Sequence, residues 1–215
     1  MSVENAPQIE SSPPSDNGRK IEILRTAALL FHKKGFDATS MNDIAKAVNL
    51  TKPGLYYYVQ SKEELLFAIM EHAMNLLQEA VIRPAKSKAN PDQCLDAIIE
   101  NHAILVMGDR IITILTDEMA GLSPEHYDLL IQRKQDYFQL LRSTLEQLMT
   151  AGKIRPLNST VMAFSIFGIL LWIPRWFQPD GPLTRDEVVQ QVKEFIYGGI
   201  SSSKAMPDIV ADKQS

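Results

Sequence analysis

Residues 39–65 read TSMNDIAKAVNLTKPGLYYYVQSKEEL, and three helix starts fall within them. Ser40-x-x-Asp43 precedes Ile44, Ala45 and Val48; Thr51 precedes Lys52-Pro53-Gly54-Leu55; Ser61-x-x-Glu64 precedes Leu65, Leu66, Ile69 and Met70. A Ser or Thr oxygen at each start accepts from backbone N–H groups that the first helical turn leaves unpaired. Starts this closely spaced belong to separate short helices, and Val48-Asn49-Leu50 is a turn of helix-turn-helix length. That motif needs a small residue inside its first helix, an apolar residue in its turn and a second helix with a free outer face; Ala45 and Leu50 meet the first two demands. On a helical wheel Leu55, Tyr58 and Val59 face inward, which leaves Thr51, Lys52, Gly54, Tyr56 and Tyr57 outward. Thr51, Lys52 and Tyr57 supply hydrogen bonds suited to phosphate or base edges, and Gly54 permits close approach. Ser40 and Lys62 stand at helix N-termini, where backbone N–H groups favour a phosphate. By the residues alone, a small subdomain of capped helices with surface lysines fits as well as a nucleic-acid reader.

Working outward, residues 1–18 hold three prolines, four serines and no apolar period, and read as a disordered arm. Ile21, Leu24, Ala27, Ala28, Phe31 and Phe36 then follow helical spacing, with Gly35 at the C-cap, predicting a helix over about 19–34. Toward the C-terminus, Arg83-Pro84 leads into the polar linker AKSKANPD, where the composition places a domain boundary. Asn90-Pro91, Ser123-Pro124, Asn158 or Ser159, and Thr184-x-x-Glu187 open four more helices, running to about Met107, Thr150, Phe177 and Gly199. No segment alternates with period two, so no sheet is expected. The predicted fold is all-α with about nine helices: an arm 1–18, a three-helix helix-turn-helix domain 19–66 with its second motif helix at about 52–58, a helical domain 67–200, and a loose tail 201–215.

Composition narrows the function classes. The 215 residues are 45% hydrophobic and 22% charged, enough for a packed interior. The one cysteine, Cys94, forms no intrachain disulfide, and the polar start lacks a basic-then-apolar leader, so the expected compartment is the cytoplasm. The longest uncharged apolar run, Val161 to Ile173, is shorter than the about 20 residues a bilayer needs, so no membrane partner is expected. His102 and His126 lack metal-ligand spacing, and neither a nucleophile–histidine–acid set nor a phosphate-loop glycine pattern is present; no cofactor, metal or catalysis is expected. The net charge of −4 is unevenly spread: residues 18–65 carry eight basic against five acidic side chains, a net of +3, leaving −7 elsewhere. A basic module that meets a polyanion, beside an acidic remainder held off it, fits that asymmetry.

Val161, Phe164, Phe167, Leu171, Trp172 and Trp176 belong to a helix that is apolar on all sides, and such a helix is buried on all sides. Its own chain covers one side and a second copy covers another, so a twofold homodimer is expected, built on helices 159–177 and 185–199. Met107, Ile111, Leu115, Met119, Tyr127, Leu130, Phe138, Phe164, Phe167, Leu171 and Trp172 describe either a ligand pocket or an ordinary core; spacing favours core.

Residues 19–66, with FHKKGFDATS followed by MNDIAKAVNLTKPGLYYYVQSKEELL, resemble the DNA-binding domain of the TetR family of transcriptional regulators. The family's leucine-tyrosine-x-x-phenylalanine-x-x-lysine-x-x-leucine ending is matched by Leu55-Tyr56-Tyr57-Tyr58-Val59-Gln60-Ser61-Lys62-Glu63-Glu64-Leu65. The resemblance implies DNA-facing roles for Ser40, Thr51, Lys52, Gly54, Tyr56, Tyr57 and Lys62. The segment Leu171-Trp172-Ile173-Pro174-Arg175-Trp176-Phe177-Gln178-Pro179-Asp180-Gly181, with Phe195-Ile196-Tyr197-Gly198-Gly199 after it, is similar to TetR-family repressors of fatty-acid and steroid catabolism, whose effectors are acyl-CoA thioesters. On that resemblance Arg175 would meet a CoA phosphate and Trp172 and Trp176 the acyl path, their other reading being an interface belt around Pro174. The expected function is a dimeric repressor of double-stranded operator DNA, released by a small hydrophobic effector; the alternative is a small-molecule-binding protein with a vestigial helix-turn-helix.

Overall fold

A computed structural model describes residues 16–113 and 119–202, which form two compact units that divide after Leu65. In the first, α1 (Asp16–Lys34) buries Ile23, Leu24, Ala27, Ala28 and Phe31, a stripe of helical period. The helix starts ahead of the expected residue 19, with acidic Asp16 in the first turn, where the helix dipole favours negative charge. Ile23 takes the buried place that spacing gave to Ile21, which is only half-buried. Gly35 ends α1 at φ +84°, and the buried Thr39 hydroxyl donates to the Gly35 carbonyl at 2.8 Å.

Helices α2 (Met41–Ala47) and α3 (Lys52–Tyr58) follow. Leu50 N–H donates to Ala45 O at 2.8 Å and Asn49 N–H to Lys46 O at 3.2 Å, with Asn49 at φ +54°. These are the two bonds and the left-handed residue of a Schellman C-cap, with Asn in place of Gly. Ile44, Ala45, Val48 and Leu55 are buried in the unit's core, and the Arg19 guanidinium donates to Val48 O, tying α1 to the turn.

α4 (Lys62–Leu77) begins in the first unit and continues into the second, where it widens into a π-turn over Gln78–Ile82 and resumes as α5 (Arg83–Lys86). Pro84 has no N–H and its ring crowds the preceding turn, and one wide turn relieves both without ending the helix. Arg83-Pro84 therefore lies within the second unit and the AKSKANPD stretch is not the place of division.

The second unit is built around α6 (Pro91–Gly108), which buries Leu95, Ile98, Ile99, Ala103 and Val106 and packs against α7 (Pro124–Thr150), α8 (Ser159–Trp176) and α9 (Arg185–Ile200). Asn90, Ser123, Asn158 and Thr184 cap these helices, each side-chain oxygen accepting from a backbone N–H three residues on. Nine α-helical segments are present among the described residues, α4 and α5 forming one rod. No strand occurs there beyond an isolated bridge between Ile154 and Ser201. The rods Lys62–Lys86 and Ser159–Trp176 are long and apolar enough to cross a membrane by length and composition, and both pack on other helices of the protein. Residues 1–15 of the expected arm and 203–215 of the expected tail lie outside the described residues.

Candidate nucleic-acid interface and ligand cavity

The outer face of α3 is set by its two ends. Thr51 is the N-cap, its Oγ1 accepting from Gly54 N at 3.2 Å, and a Cβ on Gly54 would lie at that same 3.2 Å from the hydroxyl. Any side chain at Gly54 would press on the cap. Leu55 and Val59 are buried and Tyr58 half-buried, so the inward face is the one the wheel assigned. Thr51, Lys52, Tyr56 and Tyr57 are exposed, Tyr57 at 76%. Lys52 Nζ lies 5.9 Å from the Tyr56 ring centroid, one turn along the same face. An ammonium, two phenols and a threonine hydroxyl thus share a solvent-facing surface whose chemistry is that of phosphate and base-edge contact.

Ser40 and Lys62 also make local contacts in this geometry. Ser40 forms a capping box with Asp43: Ser40 Oγ donates to Asp43 Oδ2 at 2.6 Å, and Asp43 N returns a bond to Ser40 Oγ at 3.1 Å. Hydrogen bonds from the Ser40 hydroxyl and N–H hold the Asp43 carboxyl below the usual carboxylate range. Lys62 Nζ donates to Phe36 O at 3.0 Å and lies 4.3 Å from the centroid of the Phe36 ring. The lysine pins the start of α4 to the loop after α1. Its ammonium is spent largely on carbonyls, a role that helix-start position alone does not reveal.

The second unit contains a cavity of about 410 Å³. Its wall comes from four helices and a short turn: Met74 and Leu77 of α4, His102 of α6, Ile112 of the turn Arg110–Thr113, Ile131, Lys134, Gln135, Tyr137 and Phe138 of α7, and Phe164, Phe167 and Leu171 of α8. Part of the candidate set lines this space and part of it is core. Of the candidates read from sequence, Phe138, Phe164, Phe167 and Leu171 meet in this wall. Met107, Ile111 and Leu130 are core residues outside it, and Tyr127 is exposed near the start of α7. Leu115 lies outside the described residues, as does the side chain of Met119. Trp172, Arg175 and Trp176 are exposed and stand apart from the wall, with Arg175 Cζ 4.8 Å from the Trp172 ring centroid. One turn of helix separates a wall residue such as Leu171 from an outward neighbour, and the all-round apolar pattern of α8 conceals which is which.

The polar groups of the cavity were missed. His102 Nδ1 is 3.0 Å from Tyr137 Oη, and Phe167 packs on both rings, 6.1 Å from the first and 5.1 Å from the second. Burial holds the His102 pKa down at about 4, pushes the Tyr137 phenol up and pushes the Lys134 ammonium down. At neutral pH the pair is an uncharged imidazole and an intact phenol. The available signal was the period of α7: Ile131, Lys134, Gln135 and Phe138 lie at i, i+3, i+4 and i+7.

On the other side of α8 and along α9 lies bare apolar surface. Val161, Trp172 and Phe195 (72% exposed) face solvent in the isolated chain, whereas Met162, Ala163, Ile166, Leu170 and Ile173 are buried against their own protomer. The helix is covered on one face only, and the other matches the surface expected to meet a second copy.

Known proteins resemble the chain over both units. Residues 23–69 match the family of bacterial regulatory proteins described as tetR, and residues 88–200 match the tetracyclin repressor-like C-terminal domain. The HTH-type transcriptional repressor KstR2 of Rhodococcus jostii (strain RHA1) is 27% identical over 202 residues, 88% of this chain and 97% of the relative. The structure of the ketosteroid transcriptional regulator KstR2 of Mycobacterium tuberculosis superposes with a TM-score of 0.79 at 26% identity, over 87% of this chain and 97% of that one. AibR, solved in complex with isovaleryl coenzyme A and operator DNA, is 38% identical with a TM-score of 0.75, over 82% of this chain and 97% of that one.

Proposed function

Because the chain belongs to the TetR family of bacterial transcriptional regulators, we propose that it represses its genes as a cytoplasmic homodimer and is released from operator DNA by an acyl-CoA thioester. The observation that carries this reading is the apolar cavity of about 410 Å³, walled in part by α4, the same helix that begins at Lys62 in the helix-turn-helix unit. A space of that size lies toward the small end of ligand pockets, which run about 300–1,000 Å³. Its apolar wall suits an acyl group, and the charged nucleotide end of a coenzyme A would stay outside it. AibR, with its thioester and operator DNA, supports this class of effector.

The mechanism is linkage. Two protomers present two copies of α3, with Thr51, Lys52, Tyr56 and Tyr57 of each toward a major groove and Gly54 allowing close approach; Ser40 and Lys62 hold the register of docking by capping α2 and pinning α4. An effector that binds better to a conformation in which α4 is displaced lowers operator affinity by the ratio of its affinities for the two states. The protein acts by binding and not by turnover.

The test is a fluorescence-anisotropy titration of the dimer against DNA flanking its own coding sequence, with a scrambled duplex as control and short-chain acyl-CoA esters added to the complex. Selective binding reversed by one ester is the expected result. Selective binding unmoved by every ester removes the effector class and keeps the regulator; no preference over the scrambled duplex leaves a ligand-binding protein with a vestigial motif.

A further inference from the structure

One buried polar atom in the cavity wall has no partner among the described residues. His102 is 3% exposed, its Nδ1 faces the Tyr137 hydroxyl at 3.0 Å, and its Nε2 is buried without a hydrogen bond. The tautomer follows from counting protons. If the phenol donates to Nδ1, the phenol is satisfied and one N–H, on Nε2, remains unmet. If Nδ1–H donates to the phenol oxygen instead, the phenolic proton and the bare Nε2 are both unmet. Each unmet buried group is costly, so the first arrangement prevails. The imidazole is neutral at physiological pH, because burial disfavours its charged form. His102 therefore brings an unmet N–H donor to a wall in which Lys134, Gln135 and Tyr137 stand among Met, Leu, Ile and Phe side chains.

His102 is a residue of the cavity wall, so an occupant of the cavity can supply the partner that the protein does not. A water is a poor occupant of a mostly apolar space, since it needs two to four polar partners of its own. We propose that the Nε2–H of His102 reads a carbonyl oxygen of the effector, so that a ligand with a carbonyl in the cavity is chosen over one of the same shape without it. This inference rests on the cavity being the effector site. The carbonyl is either that of the thioester or a keto group further along the acyl chain. Tyr137 is a positioning residue: it touches no ligand in this account and fixes which nitrogen of His102 bears the proton.

The experiment has three arms on the full-length protein. Ring 15N–1H correlation spectra of the wild type are expected to show the His102 proton on Nε2; a proton on Nδ1 overturns the proposal. In the second arm, affinities of 4-heptanone and heptane are compared in wild type and His102→Leu. The ketone-to-alkane ratio is expected to fall about tenfold in the variant, the size of one buried hydrogen bond. In the third, butyryl-CoA, its thioether counterpart S-butyl-CoA, and acetoacetyl-CoA are compared in the same way. A fall in the butyryl-to-thioether ratio assigns the thioester carbonyl, and a fall confined to the acetoacetyl-to-butyryl ratio assigns a keto group in the chain. If no coenzyme A compound binds the wild type while the ketone ratio falls, the acyl-CoA reading fails and the role of His102 stands. If the compounds bind and no ratio changes in His102→Leu, or if the wild type binds the ketone no better than the alkane, the role of His102 is overturned. Tyr137→Phe keeps the histidine and guards against a misfolded His102→Leu: it is expected to lower the ketone ratio and to release the proton from Nε2, and a wild-type ratio and spectrum there overturn the proposal.

Discussion

Asn49 and His102 show how single positions carry consequences that their neighbours do not. Asn49 sits at φ +54° as the left-handed residue that closes α2. Asn49→Gly is expected to leave the thermal midpoint of the helix-turn-helix unit unchanged or slightly raised. Asn49→Val forces a β-branched side chain into the same conformation and is expected to cost about 1 to 2 kcal/mol by chemical denaturation. For His102 the sign follows from a pKa near 6.5 in the unfolded chain and about 4 in the fold. The unfolded chain takes up its proton first as pH falls. The stability that neutral His102 contributes is therefore present in full above pH 6.5 and is lost on the way down to pH 4. Between pH 7 and pH 5 the loss is roughly 2 kcal/mol. Urea denaturation at the two pH values should show it in wild type, and His102→Leu should flatten it.

Among the elements, α3 and α4 separate two kinds of lysine. Lys52 stands on the exposed face of α3, so Lys52→Ala is expected to weaken operator binding, to lower the slope of log affinity against log salt by about 1.8 for the dimer, about 0.9 from each protomer, and to leave the thermal midpoint in place. Lys62 holds the carbonyl of Phe36 and the face of its ring. Lys62→Met should therefore lower the thermal midpoint together with affinity, and circular dichroism alongside anisotropy distinguishes the two variants. The π-turn before Pro84 is the other lesson of this scale. A proline normally marks the end of a helix; here the rod continues past Arg83-Pro84 because one wide turn accommodates the missing N–H and the ring.

For the whole molecule, the uncovered face of α8 and α9 is the surface proposed to meet a second copy. Phe195 is the most exposed apolar residue there and makes no use of its own protomer's core. Phe195→Glu is expected to give a folded monomer by sedimentation and circular dichroism, and to abolish tight operator binding. A lone protomer engages only one half-site of a palindrome whose halves lie about 34–36 Å apart. Retained dimerisation would place the interface elsewhere on the second unit.

The all-α fold, the helix-turn-helix and most helix starts were legible in the amino-acid order. Ser40 with Asp43, Thr51, Asn90, Ser123 and Thr184 with Glu187 cap their helices through bonds that span three residues, and a contact that local is written in a short window. The inward face of α3 was legible for the same reason, because a helical period is a local property. What only the tertiary structure decided spans longer distances: Lys62 on Phe36, 26 residues away, and His102 on Tyr137, 35 residues away. The cavity belongs with these. Phe138, Phe164, Phe167 and Leu171 look the same in sequence whether they close on one another or line a space, and what settles the matter is how four helices pack, a sum of contacts that no window of sequence contains.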